Sequence, residues 1–338
     1  MSLFLKIKVS VIYKIRFRYG KLSFAFWDLI TKIIITNKRD MTKRNILFVW
    51  VPVWGEKHIN WFFNYTLSSL LTANNLPQVA ENIKIIICFY TKDMDKSSID
   101  KRMTSSLCPY EYSITTESFF QDKARDMMSN YMIHILDRSI NNNGLILICQ
   151  PDLLFSDGSI NNLVELSNFK GVSISVPHPR VSIESLIKNN VDIKNLTRKK
   201  LEFVSVALQN KHDALFYADE TAENNSTNMG VSTRKISNGE VVIHNLPAVY
   251  LCNPIHDDLI FFKRRCTFNI IDKTWTHMLF RQSRLKIVTS SDVVFLIELT
   301  EDKIKAKIKT NSAYNDFYTG YRPFVEFTNG VISFWRTK

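Results

Sequence analysis

The chain has 338 residues, 45% of them hydrophobic, with nine glycines and nine prolines, enough apolar material for a full core and too little bias for a disordered or fibrous chain. Its net charge of +12 is unevenly placed: residues 1–47 hold eleven Lys and Arg against Asp28 and Asp40, and the other 291 residues carry only +3. A body this close to neutral excludes nucleic-acid binding through a broad basic face.

The five cysteines (Cys88, Cys108, Cys149, Cys252, Cys266) are scattered and never form a CxxC pair. Cys88 and Cys149 lie inside apolar runs, where a thiol acts as a small hydrophobe. The pattern predicts a reducing, cytoplasmic setting and no disulfide or zinc framework.

Residues 3–19 alternate with period two: Leu3, Leu5, Ile7, Val9, Val11, Tyr13, Ile15, Phe17 and Tyr19 face one way and Lys6, Lys8, Lys14, Arg16 and Arg18 the other. This is a strand pattern, too charged for a transmembrane helix and without a signal-peptide core. Three readings stay open: a basic arm at the inner face of a membrane, an added edge hairpin, or an extension upstream of a start at Met41. Residues 1–40 are treated as outside the fold.

From there the expected elements follow in order. Ile46–Val53 reads as a buried strand, then a helical stripe runs through Ile59, Phe62, Phe63, Leu67, Leu70 and Leu71. Asn74-Asn75-Leu76-Pro77 stops it, and Ile83–Tyr90 is a second buried strand. A short helix from about Ser97, a strand near Tyr110–Ile114 and a long helix with Phe120, Met127, Met128, Tyr131, Met132, Ile135 and Leu136 on one face come next. Leu145–Cys149 is a third buried strand, and a helix over Asn161–Asn168 leads to a strand at Gly171–Val176. Residues 181–219 read as helical and residues 219–226 as a polar boundary or lid. Beyond Val231 the pattern changes to short strands: Val241–His244, Ala248–Leu251, Leu259–Phe262, Lys286–Thr289 and Val293–Leu299.

Alternating strands and helices predict right-handed parallel βαβ units, hence an α/β fold: a Rossmann-like, mostly parallel sheet flanked by helices, with a mixed α+β C-terminal half. The division is an α/β half over 41–180 and a second half over 181–338. No GxGxxG, P-loop, GxSxG or HExxH is present. Polar groups do gather at strand ends, where open α/β sheets bind ligands: Trp54 with Glu56, Thr91 with Asp93, and Asp152. Trp54 either stacks a base or sugar or staples the following helix. Asp152 and Asp157 either serve a site or shape a turn and cap a helix.

The runs Val51-Pro-Val-Trp-Gly55, Asn64-Tyr-Thr-Leu-Ser-Ser-Leu-Leu71, Asn75-Leu-Pro77 and Gln150-Pro-Asp-Leu-Leu-Phe-Ser-Asp-Gly-Ser159 resemble a family of bacterial glycosyltransferases with a nucleotide-diphospho-sugar (GT-A-like) fold. Lys170-Gly-Val172, Pro179-Arg-Val181, His244-Asn-Leu-Pro-Ala-Val249 and Ser290-Ser-Asp292 are similar too, so the likeness spans about residues 45–300. It implies transfer of a sugar from a nucleotide-sugar donor, bound by the 41–180 half, to a glycan or glycoconjugate acceptor on the 181–338 side. It implies donor-binding roles for Trp54, Thr91, Asp152, Asp157 and His178. Asp152 stands where such enzymes hold Mg²⁺ or Mn²⁺ through Asp-x-Asp, but Gln150 replaces the first carboxylate, so metal dependence stays open. An inverting reaction needs a base, for which Asp292, Asp157 and His244 are candidates, and a cation on the leaving group, for which Arg180 and more weakly His178 are candidates. The alternative is a non-catalytic nucleotide- or sugar-binding protein of the same fold.

Overall fold

The computed structural model describes residues 44–116, 124–167, 171–210, 216–217, 232–237, 240–244, 248–264, 275–288, 290–302 and 333–336. The basic residues 1–40, the polar stretch 219–226 and Phe120 lie outside the described residues, as do the expectations placed on them.

The chain opens with β1 (Ile46–Pro52), followed by a helical run of α1 (Glu56–Trp61), a π-turn (Phe62–Thr66) and α2 (Leu67–Leu70). Helix α3 (Leu76–Ala80) takes its proline in the first turn, where a missing N–H costs nothing. Then come β2 (Lys84–Thr91), α4 (Lys96–Ser105), β3 (Glu111–Thr116), α5 (Ala124–Asn141) and β4 (Leu145–Ile148). A short strand β5 (Leu153–Phe155) precedes α6 (Ser159–Leu166), β6 (Ser173–Ser175) and β7 (Arg180–Ser182). Helices α7 (Ile183–Lys188), α8 (Ile193–Leu196) and α9 (Lys200–Gln209) follow, then β8 (Phe216–Tyr217), β9 (Ser232–Ser237), β10 (Glu240–His244) and β11 (Val249–Cys252). The last described elements are α10 (His256–Arg264), α11 (Trp275–Arg281), β12 (Leu285–Ile287), β13 (Leu296–Thr300) and β14 (Ser333–Arg336).

Seven strands form one sheet in the order β12-β6-β11-β4-β1-β2-β3. All neighbours are parallel except β11, which runs antiparallel to both β4 and β6. The mostly parallel α/β sheet expected from the strand–helix alternation is therefore present, and it draws β11 and β12 from beyond residue 180. Its central strands are apolar on both faces because each face is covered. Leu47, Val49, Val51, Ile85, Ile87 and Phe89 pack with Ile59, Phe62 and Leu70 of the first helical run. Phe48, Trp50, Ile86, Cys88 and Ile146 pack with Tyr131, Ile135 and Leu136 of α5 and Phe262 of α10.

Two expectations fail locally. Leu259–Phe262, rich in β-forming residues, is helical within α10: Leu259 and Phe262, three apart, turn one face inward. The acidic pair Asp257 and Asp258 favours the positive N-terminal end, and Asp258 accepts the Ile255 N–H at 2.9 Å. Phe216–Tyr217, in a stretch expected to be helical, is a strand.

Two smaller sheets complete the described elements. One runs β14-β10-β9-β8, and the other β5-β13-β7. In the latter, β13 pairs antiparallel with β5 and parallel with β7, bringing three distant segments side by side. Beneath it Leu154, Val181, Ile297 and Leu299 pack with Leu186, Leu196, Phe203 and Ala207 of α7, α8 and α9.

Candidate functional site

The strand order 3-2-1-4 reverses direction between β1 and β4, and in open α/β sheets such a switch point leaves a crevice at the carboxyl ends of the strands. A cavity of about 340 Å³ lies there, lined by Pro52, Val53, Trp54, His58, Met128, Gln150, Pro151 and Asp152. That volume is within the range of small-molecule sites, and its mostly apolar wall with a few polar groups has their chemistry. Beyond β1, Gly55 adopts φ +76° at the start of α1 and donates its N–H to Asp95 at 2.8 Å. A Cβ at Gly55 would meet no atom, so the demand for glycine there is conformational.

The other wall is the connection from β4 to β5. The buried Thr66 hydroxyl, at the end of the π-turn, donates to the Pro151 carbonyl at 2.6 Å. The Asp152 carbonyl accepts the Leu299 N–H at 2.8 Å. Both bonds fix the backbone on either side of the Asp152 side chain. Its Oδ1 is enclosed and takes no hydrogen bond from the protein. Burial, followed by repulsion from the Glu298 carboxylate, raises the Asp152 pKa from 3.8 to about 7, against the opposing pull of its own backbone N–H, Arg180 and Lys57.

Glu298 sits in β13 directly opposite Arg180 of β7. Arg180 Nη2 meets one of its oxygens at 2.9 Å, and His178 Nε2 meets the other at 3.3 Å. The Tyr250 hydroxyl, from β11, lies 2.8 Å from His178 Nδ1 and 3.1 Å from Nε2. Burial favours the neutral form of Glu298, but the His178 and Arg180 contacts outweigh it and hold the group ionised below its usual range. At the start of α1, Lys57 pairs with Glu301 at 2.6 Å and lies 4.6 Å above the Trp61 ring. His58 is held toward its neutral form, first by burial and then by the Lys57 charge, against the Trp54 carbonyl and Glu301.

The structure brings Trp54 and Asp152 to one cavity; Arg180 and His178 do not line it and are set against Glu298, whose charge reaches Asp152. Thr91 is fully buried at the end of β2 and does not line the cavity; its carbonyl accepts the Tyr131 hydroxyl at 2.7 Å. Asp157 is turned to Asn74, accepting the backbone N–H at 2.8 Å and the side-chain amide at 2.6 Å. It does not cap α6, whose N-cap is Gly158. Asp292 is exposed in a turn where its carbonyl accepts from Lys200. His244 ends β10, in the four-stranded sheet, with its side chain outside the described set.

No protein-family model matches the chain, and no curated protein matches it. Among solved structures, mouse xyloside xylosyltransferase 1 in its apo form is 10% identical with a TM-score of 0.30, the match covering 40% of this chain and 53% of that one. This chain thus matches about half the length of that xylosyltransferase. A Bacillus anthracis protein assigned as a glucose-1-phosphate thymidylyltransferase, solved with sucrose, is 10% identical with a TM-score of 0.36, covering 72% of this chain and 86% of that one. With TM-scores below 0.5, neither likeness carries an activity or a ligand across.

Glu298, Tyr250, His58 and Lys57 are the site residues that the sequence did not single out. One signal was available for Glu298: it is the lone charge in Val293-Val-Phe-Leu-Ile-Glu-Leu299, and a carboxylate within a buried run needs a partner. Among the described residues no group of three or more His, Cys, Asp or Glu side chains has the arrangement of a metal site. Also among them, no helix is long and apolar enough to cross a membrane.

Proposed function

We propose that this chain is a glycosyltransferase of GT-A-like fold that binds a nucleotide-sugar donor in the β1–β4 crevice and passes the sugar to a hydroxyl of a glycan or glycoconjugate. The observation that carries the reading is the cavity at the switch point, with the Trp54 ring on one strand end and the Asp152 carboxyl on the other. The ring offers a face for a base or sugar, and the Asp152 carboxyl lining the cavity offers an acceptor for a hydroxyl.

Glycosyl transfer needs little covalent machinery from the protein: a cation on the departing diphosphate and a base on the attacking hydroxyl. Arg180 is the candidate cation, ordered by Glu298. His58, held neutral and lining the cavity, is the candidate base that the geometry adds to Asp292 and His244. Asp152 fits a divalent cation only as a single anionic ligand, since Gln150 occupies the other position and Glu298 is engaged by Arg180 and His178. Bound there with diphosphate and water oxygens completing its shell, Mg²⁺ or Mn²⁺ would neutralise leaving-group charge.

Calorimetry with UDP-, GDP- and CMP-sugars, with Mn²⁺ and with a chelator, tests this reading. Saturable binding of one donor followed by transfer or slow donor hydrolysis is expected. Binding of none, in either condition, overturns it; binding without turnover would instead make the chain a non-catalytic nucleotide-sugar-binding protein.

A further inference from the structure

We propose that Glu298 is the positioning residue of this crevice, fixing Arg180 and His178 in one orientation beside the tip that carries Asp152. The proposal rests on the donor-site reading above, in which Arg180 faces the diphosphate. Glu298 lies in β13 between Ile297 and Leu299, with its side chain only 16% exposed. A carboxylate at such a position is costly to bury unless both oxygens are engaged. Both are: Oε1 pairs with Arg180 at 2.9 Å and Oε2 with His178 at 3.3 Å. The segment carrying those two side chains is also tied by backbone, since the Glu298 N–H donates to Pro179 at 3.0 Å.

The next residue along the strand completes the arrangement. Leu299 donates its N–H to the Asp152 carbonyl at 2.8 Å, so consecutive positions of β13 hold the His178–Arg180 segment and the Asp152 tip. The Tyr250 hydroxyl, from β11, contacts both nitrogens of the His178 ring. The bonds from Arg180 and His178 keep Glu298 ionised, the form that can anchor a guanidinium. Residues 178 and 180 are thus held by one side chain on a strand about 120 positions later in the chain, and residue 152 by the backbone N–H of the next position on that strand.

Glu298→Gln and Glu298→Asp, with Arg180→Gln and the double variant, test the role by two independent readouts. In ligand-free protein, side-chain ¹⁵N NMR of the Arg180 guanidinium, assigned by its loss in Arg180→Gln, is expected to show a distinct, slowly exchanging Nε signal that collapses in Glu298→Gln. Glu298→Asp, which keeps the charge at shorter reach, should retain part of that signal and serves if the Gln variant fails to fold. In calorimetry with UDP and GDP as probes, Glu298→Gln should weaken binding about tenfold, as loss of one charge-assisted bond predicts. The double variant should bind no worse than Arg180→Gln alone. An Arg180 signal unmoved by either Glu298 substitution, or additive losses in the double variant, would overturn the proposal. If wild-type protein binds neither probe, the donor-site reading fails, and the NMR comparison still decides whether Glu298 orders Arg180.

Discussion

The Thr66 hydroxyl donates to the Pro151 carbonyl at 2.6 Å, linking the end of a π-turn to the strand tip that presents Asp152. The π-turn adds a residue to one helical turn, which rotates Thr66 toward β5. Thr66→Val keeps the shape and removes the donor, leaving a buried carbonyl unsatisfied at a cost of roughly 1–3 kcal/mol. Urea denaturation should show that loss, and Thr66→Ser should recover most of it. Wild-type stability in the Val variant would mean that water replaces the bond and that Thr66 does not hold the tip.

Asp152 and Glu298 titrate in opposite senses. An unfolded Asp releases its proton near pH 3.8, whereas Asp152 in the fold holds it to about pH 7 because of burial and Glu298. Between those values the native state binds the extra proton, so Asp152 makes stability fall as pH rises through the window. Glu298, whose folded pKa is depressed, contributes stability above its unfolded value and loses it as pH falls through the lowered one. Asp152→Asn should therefore be more stable than wild type at about pH 8 and equal to it near pH 4, as followed by thermal melts. A difference that does not change with pH would show that Asp152 is ionised throughout.

Much of the fold was legible because β1, β2 and β4 are buried on both faces and read as unbroken apolar runs. The site was legible where such a run ends at a strand tip, as it does before Trp54 and Asp152. Glu298 showed only as a lone charge in an apolar run, and its partners were hidden because Arg180 and His178 come from another segment and pairing between distant strands leaves no local pattern. The partner of Asp157 was hidden for the same reason: Asn74 lies 83 residues away. Leu259–Phe262 has the propensity of a strand, but the two aspartates ahead of it start a helix.

Gly144, at the turn into β4, is required by packing. A Cβ there would lie 2.6 Å from Cε2 and 2.9 Å from Cδ2 of the buried Phe48 ring, and 3.2 Å from the Ile46 carbonyl. Phe48 sits between the sheet and α5 with no room to withdraw. Gly144→Ala should cost about 1–3 kcal/mol, as overpacking does. Combining it with Phe48→Leu should give a smaller loss than the two substitutions summed, measured by the same denaturation assay. Simple additivity would mean that the clash is relieved elsewhere.

Asp258 follows His256 and Asp257, a run with metal-ligand chemistry, but its carboxylate is spent on structure. One oxygen accepts the Trp275 indole N–H at 3.2 Å; the other accepts the Ile255 N–H at 2.9 Å and pairs with Arg284. Asp258 is fully buried and Arg284 nearly so. Asp258→Ala would leave Arg284 with only Gly171 and Gln282 as partners among the described residues and the Trp275 indole N–H without one, and is expected to cost roughly 3 kcal/mol. Donor binding in whatever fraction remains folded should be unchanged, because Asp258 does not line the cavity. Loss of binding with full stability would place it in the site after all.

Trp54 is the most direct test of what the crevice holds. Its ring is half-buried, resting on the core around Tyr131 while lining the cavity. Base–aromatic stacking is worth about 1–3 kcal/mol, so Trp54→Ala should weaken nucleotide-sugar binding about ten- to a hundredfold. Trp54→Phe keeps a smaller face and should lose less. The comparison that separates stacking from packing is the pair of readouts: calorimetry should rank Trp, Phe and Ala in that order, while thermal melts should change much less from Trp to Phe. If instead both variants bind the donor as wild type does and only the melts shift, Trp54 is a packing residue against the core around Tyr131, and the ligand in the crevice is held by the Asp152 wall alone.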